Sequence, residues 1–211
     1  MVLNKKKATM LNMLVTALYQ LTTALFGFIL PNLLLNSYGA QLHGYTSTVN
    51  SIMSYIALIN AGLAPAAVQA LYEPLAKKNN KRISEVLNAI DRFYVKSGVL
   101  YSIAIIICAV VLPFIISNQI PSYLVVLLML VIGATNTLDC FVYSKYRVLL
   151  QADQRLFIVS LVDTVAYFFR VAIQVSLIYL QQSIVIVMGI PALLVIARTI
   201  VLAQYCRKHY P

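Results

Sequence analysis

The chain of 211 residues has no tryptophan, three cysteines, and only six acidic residues against sixteen basic ones. Charged residues make up 10% of it, well below the roughly 25% of a soluble globular domain. With 61% hydrophobic residues, that scarcity excludes an ordinary water-soluble fold, because a domain this small would expose large apolar patches. Cys108, Cys140 and Cys206 lie in or beside apolar runs, without zinc spacing or a CxxC pairing. They read as small apolar fillers rather than metal ligands or disulfide partners. No GxxxxGK[ST], GxSxG or HExxH occurs, and His43 and His209 fall near opposite membrane faces. Neither an enzyme nor a bound cofactor or metal is expected.

What the chain does have is long apolar runs. A helix needs ~20 mostly apolar residues to cross the hydrocarbon, and about six segments qualify. They are Met10–Leu35, His43–Leu71, Phe93–Ile116, Tyr123–Tyr146, Leu156–Leu180 and Ile184–Cys206. Turn chemistry separates them at Asn36-Ser37-Tyr38-Gly39, Ser117-Asn118-Gln119, Pro121-Ser122 and Gln181-Gln182-Ser183. The expected fold is an all-α, polytopic transmembrane helical bundle. The lysines at 5–7 and the run after them imitate a signal peptide, but the run exceeds the usual ~7–15 residues and lacks a clear cleavage site. It is read as a retained first helix.

The net charge of +10 raises the question of nucleic acid, and the placement of the charges answers it. Lysines 5–7, then Lys77, Lys78, Lys81, Arg82, Arg92 and Lys96, then Lys145, Arg147 and Arg155, then Arg207 and Lys208 all flank alternate connections. The other connections carry no charge. This positive-inside pattern puts both termini in the cytoplasm and accounts for the basicity without nucleic acid; anionic lipid headgroups are the expected surface partner. Tyr38, Tyr45, Tyr72, Tyr94, Tyr123, Tyr146, Tyr179 and Tyr205 sit near span ends and replace tryptophan in the interfacial belt. Between the second and third spans, segment 77–92 has Ile83, Val86, Leu87 and Ile90, followed by Phe93, at helical spacing. An amphipathic helix along the cytoplasmic interface fits it, as does a solvated hairpin packed on protein.

Several spans carry polar stripes at helical spacing. Asn12, Thr16, Gln20, Thr23, Gly27 and Pro31 share one side of the first, and Ser47, Asn50, Ser51 and Ser54 one side of the second. Gly133, Asn136, Thr137, Cys140 and Ser144 follow in the fourth, then Ser160, Asp163, Tyr167, Arg170 and Gln174 in the fifth. Small and hydroxyl residues also serve close helix packing, whereas Gln20, Asn50, Asn136 and Gln174 are costlier to bury and point to a hydrated cavity. Pro31 and Pro65 bend their helices in this reading. Asp139, Asp163 and Arg198 each lie roughly 10–12 Å inside the cytoplasmic edge, and Arg170 lies about 21 Å inside it. The first three form a candidate charge network or gate; Arg170 and Tyr167, with the amides, are cavity candidates for an anionic substrate. The alternatives are snorkelling for Arg198, local pairing of Asp139 with Lys145 or Arg147, and a structural ion pair for Arg170.

The stretch Tyr38-Gly39-Ala40…Gly44, through Ala61-Gly62-Leu63-Ala64-Pro65-Ala66 to Ala70-Leu71-Tyr72-Glu73-Pro74-Leu75-Ala76, resembles the bacterial polysaccharide transporters. These are the oligosaccharide flippases (O-antigen and capsule repeat units) of the MOP superfamily, relatives of the MATE exporters. Asn88…Asp91-Arg92-Phe93-Tyr94 and the closing Arg207-Lys208-His209-Tyr210-Pro211 fit the same pattern. The resemblance implies a bacterial cytoplasmic membrane, an undecaprenyl-pyrophosphate-linked oligosaccharide as substrate, and two helical lobes alternating around a central cavity. It implies too that residues 1–211 are the N-terminal lobe, with a C-terminal lobe or a second copy as partner. A MATE-like multidrug exporter is one alternative. A non-transporting subunit or degenerate remnant of a polysaccharide assembly complex is another.

Overall fold

The structure is a computed structural model that describes residues 5–58, 62–115 and 120–210, with side chains from residue 9 onward. It is an all-α bundle, with no strand among the described residues. Lipid offers no partner for backbone amides, so each span must satisfy them within its own helix. The elements are α1 (Lys5–Ala57), α2 (Leu63–Ala76), α3 (Asn80–Ile115), α4 (Ser122–Leu138), α5 (Ser144–Ala152), α6 (Leu156–Tyr179) and α7 (Ile184–His209). A π-helical turn, Asp139–Tyr143, joins α4 to α5 without interrupting the helix. The break expected at 117–119 lies outside the described residues.

Taken as one rod, α1 would run ~80 Å at 1.5 Å per residue, far more than the ~30 Å of hydrocarbon. It is instead two arms meeting at Gly39, whose φ of 82° and ψ of 167° lie in a region open essentially to glycine alone. The first arm rises alongside α6. Asn12 meets the start of α6, Thr16 meets Ser160, and the Tyr38 hydroxyl donates to the Gln182 carbonyl at 2.6 Å. The second arm returns beside α4 and α3. Its Tyr45 hydroxyl donates to the Val125 carbonyl at 2.6 Å, and Met53 accepts through its carbonyl from the Tyr101 hydroxyl at 3.0 Å. Five helical stretches are long and apolar enough to cross a membrane, and Gly39 divides the first of them into its two arms.

Both ends of the described chain meet at the same end of the bundle. Asn12 accepts the Phe157 N–H and donates to the Gln154 carbonyl, which caps α6 from another helix. Tyr210 donates to Asp153 at 2.5 Å, and Arg155 pairs with Asp153 at 2.9 Å and reaches the Tyr205 hydroxyl. A core of Val68, Leu71, Ile83, Ile90, Tyr94, Leu150 and Leu202 lies at this basic end. A second, around Val49, Tyr101, Leu128 and Met129, fills the opposite half. Close helix approach there depends on missing side chains. A Cβ on Gly133 would stand 2.7 Å from Ile105, and one on Gly98 would stand 2.9 Å from Phe141.

Three span boundaries differ from the sequence reading. Residues 43–71 are not one span: α1 ends at Ala57 and α2 starts at Leu63, with Pro65 in its first turn. In an unbroken helix Pro65 would deny the i−4 carbonyl its donor and clash with it, whereas the first turn of a new helix tolerates proline. Segment 77–92 is not a separate interfacial helix. From residue 80 onward it is the first part of α3, and its apolar side (Ile83, Ile90, with Val86 and Leu87) packs on α2 and α5. Protein therefore covers the stripe, as the hairpin alternative had it, although Phe93 stays exposed. Finally, the fourth span does not stop at 146 but continues helically to Ala152.

Candidate functional site

The polar chemistry concentrates where the π-turn faces α6 and α7. A π-turn carries an i→i+5 hydrogen bond in place of i→i+4, and here the Ser144 N–H donates to the Asp139 carbonyl, which its hydroxyl also contacts at 2.9 Å. Within that turn, Asp139 and Tyr143 both reach the guanidinium of Arg198 on α7. Arg198 Nη2 pairs with Asp139 Oδ1, and Nη1 lies 3.3 Å from Asp163 Oδ1. The Tyr143 hydroxyl donates to Asp163 Oδ2 at 2.5 Å, and its ring lies 4.3 Å below the guanidinium carbon. Arg198 is therefore held by two carboxylates and an aromatic face, and it does not snorkel. Asp139 pairs across the bundle rather than locally; Lys145 instead takes Asp91 at 2.9 Å.

The three candidate network residues thus meet, and Tyr143 joins them. The two carboxylates differ in access. The Asp163 side chain is 11% exposed, whereas that of Asp139 is 35% exposed and borders a cavity. That cavity, about 480 Å³, opens between the end of α1, α2, α3 and the α4–α5 helix.

The cavity candidates scatter more widely. Arg170 is exposed, although Asp163 and Gln174, on the same side of α6, are buried. Among the described residues it has no salt bridge and no hydrogen bond. Tyr167 packs edge-on against Tyr19 of α1, centroids 6.5 Å apart, with Phe26 at 6.2 Å. Gln20 and Asn50 are exposed on the two arms of α1, without side-chain hydrogen bonds among the described residues. Asn136 lines the 480 Å³ cavity while its amide donates to the Ile132 carbonyl at 3.0 Å.

Gln174 departs from the expectation of a hydrated wall. It is 1% exposed, its Nε2 touches the Met188 sulfur at 3.7 Å, and its Oε1 has no partner. Its side of α6 turns toward α7, so helix packing excludes the cavity there.

Sequence reasoning missed Tyr143, Arg147 and Gln151. The stripe Asn136, Cys140, Ser144 continues at helical spacing through Arg147 and Gln151, and extending it past the assumed span end reveals them. Among the described residues no group of three or more His, Cys, Asp or Glu is placed to hold a metal.

These helices define the class: a polytopic α-helical membrane protein. No family model, no curated protein and no solved structure matches the chain.

Proposed function

We propose that the chain is one lobe of an alternating-access transporter that moves a lipid-linked oligosaccharide from the cytoplasmic to the outer leaflet of a bacterial membrane. One observation carries the reading. Arg170 lies near the middle of α6, exposed and, among the described residues, without an ion pair, on the same side of α6 as Asp163 of the Asp139–Arg198–Asp163 layer. An unpaired guanidinium at that depth costs at least ~2.5–3.5 kcal/mol unless water or a ligand reaches it. Function is the natural reason to keep it there. Guanidinium matches phosphate oxygens in charge and in its forked geometry, which suits a pyrophosphate linkage between lipid and sugar. In this reading the basic end is cytoplasmic, and the Arg198 layer closes the pathway on that side. A second lobe, from another copy or from further polypeptide, covers exposed Gln20 and Asn50.

The test is Arg170→Gln beside Arg170→Lys in the assembled transporter. Affinity for an undecaprenyl-pyrophosphate-linked oligosaccharide in nanodiscs is expected to fall about tenfold or more in the Gln variant, corresponding to one charge-assisted contact. Lys retains part of it. Translocation falls in parallel. Unchanged affinity and translocation at equal protein level overturn the proposal.

A further inference from the structure

The 480 Å³ cavity beside the π-turn is a site of its own, separate from Arg170. Its volume falls within the ~300–1,000 Å³ usual for small-molecule pockets. Beside two tyrosines, Tyr94 and Tyr101, its lining includes the polar side chains of Asn136, Asp139, Ser144, Arg147 and Gln151. They come from α3, α4, the π-turn and α5, so the wall is assembled by the fold rather than by one stripe. Pro65 and Ala64 of α2 close another side.

The hydrogen-bonding capacity left over in this wall is specific. Asn136 spends one amide N–H on Ile132 and keeps the other together with its carbonyl oxygen. Ser144 donates to the Asp139 carbonyl and keeps lone pairs to accept with. Asp139 gives Oδ1 to Arg198, while Oδ2 has no hydrogen bond. Arg147 and Gln151 are exposed and, among the described residues, have no side-chain hydrogen bond or ion pair. Acceptors and donors are thus both on offer, around one carboxylate and one guanidinium.

That balance selects a ligand class. An anion entering alone meets the Asp139 carboxylate, and a cation meets Arg147. A neutral molecule dense in hydroxyls and amides satisfies both ends, since each hydroxyl donates and accepts. We propose that this cavity binds the neutral sugar portion of a glycan, entering at the basic end of the bundle. The inference rests on the oligosaccharide reading above and adds where the sugar sits. A hydroxyl can donate to the free Oδ2 of Asp139 while Oδ1 stays with Arg198, so the sugar and the network share one carboxylate.

Saturation-transfer difference NMR on the full chain in nanodiscs tests it, with maltose and chitobiose as probes, which carry neither lipid nor phosphate. Transfer to the ring protons is expected from the wild type. Asn136→Leu and Gln151→Leu should each weaken binding about tenfold, the loss of one ligand hydrogen bond. Gln151 is exposed, so its variant leaves the fold intact even if Asn136→Leu does not. Arg170→Gln should leave disaccharide binding unchanged, which separates this proposal from the transport reading: either can fail while the other stands. No transfer from the wild type, or equal transfer from Gln151→Leu, overturns the assignment. Displacement of the sugars by inorganic pyrophosphate or by tetraphenylphosphonium overturns it too, because an anion or a cation would then be the preferred occupant.

Discussion

The junction around Arg198 and the first arm of α1 are opposites within one small bundle. At the junction, the guanidinium and both carboxylates have partners on other helices, and Tyr143 closes the set. Along α1, Met13, Leu18, Leu21, Leu25 and Phe28 are all exposed, and its most apolar stretch buries nothing. That arm is fixed at its two ends, by Asn12 on the start of α6 and by Tyr38 on Gln182, with an aromatic contact between. Charge pairing sets the register at the junction, because only one alignment of α4, α6 and α7 satisfies it. On α1 one side packs along α6 and the other presents an apolar surface with no charge to fix a register.

The sharpest way to break this contrast is Arg198→Met. It leaves two carboxylates facing each other with no cation at contact distance. Removing one partner of a buried pair costs about 3–5 kcal/mol, so unfolding in detergent should shift by that amount. The triple variant Asp139→Asn, Asp163→Asn, Arg198→Met should recover most of it. A single variant with wild-type stability would show that the junction does not hold the bundle.

A matched glycine pair probes the same contrast through packing. Gly133→Ala puts a methyl 2.7 Å from Ile105 at the α3–α4 contact, where overpacking costs about 1–3 kcal/mol. Gly27→Ala on α1 meets nothing within 4 Å and should gain up to about 1 kcal/mol from helix propensity. Opposite signs are expected in thermal unfolding. Equal losses at both positions would mean that the face of α1 is as tightly packed as the core.

Much of this was legible beforehand, for physical reasons. The all-α fold and its long apolar helices follow from apolar length, which a membrane requires of any span. The layer of Asp139, Asp163 and Arg198 was readable because depth along a helix is simple arithmetic. The direction of a side chain around its helix was harder. Gln174 shares a stripe with Arg170, yet one is buried against α7 and the other exposed, and stripes alone do not say where a neighbouring helix stops. The π-turn left no trace in composition, since a one-residue slip in hydrogen bonding needs no special residue. Tyr143 therefore stayed hidden. The break before α2 was visible as Pro65, but a kink and a fresh start have the same signature.

Gln174 also supplies the smallest expected effect. Its Oε1 is buried without a donor, and its Nε2 has only a sulfur for an acceptor. An amide in that state has lost its water and regained little, and unsatisfied buried polar atoms cost about 1–3 kcal/mol. Leucine is close in volume and removes both unpaired groups. Gln174→Leu should therefore be neutral or stabilising by up to about 1 kcal/mol, in contrast to any substitution at Arg198. The measurement is the midpoint of thermal unfolding, read beside binding of the lipid-linked oligosaccharide proposed above as substrate. A gain in stability with unchanged binding places Gln174 with the packed side of the bundle. A loss of binding without a loss of stability would place it with Arg170, and the boundary between junction and open face would then run one helical turn further along α6.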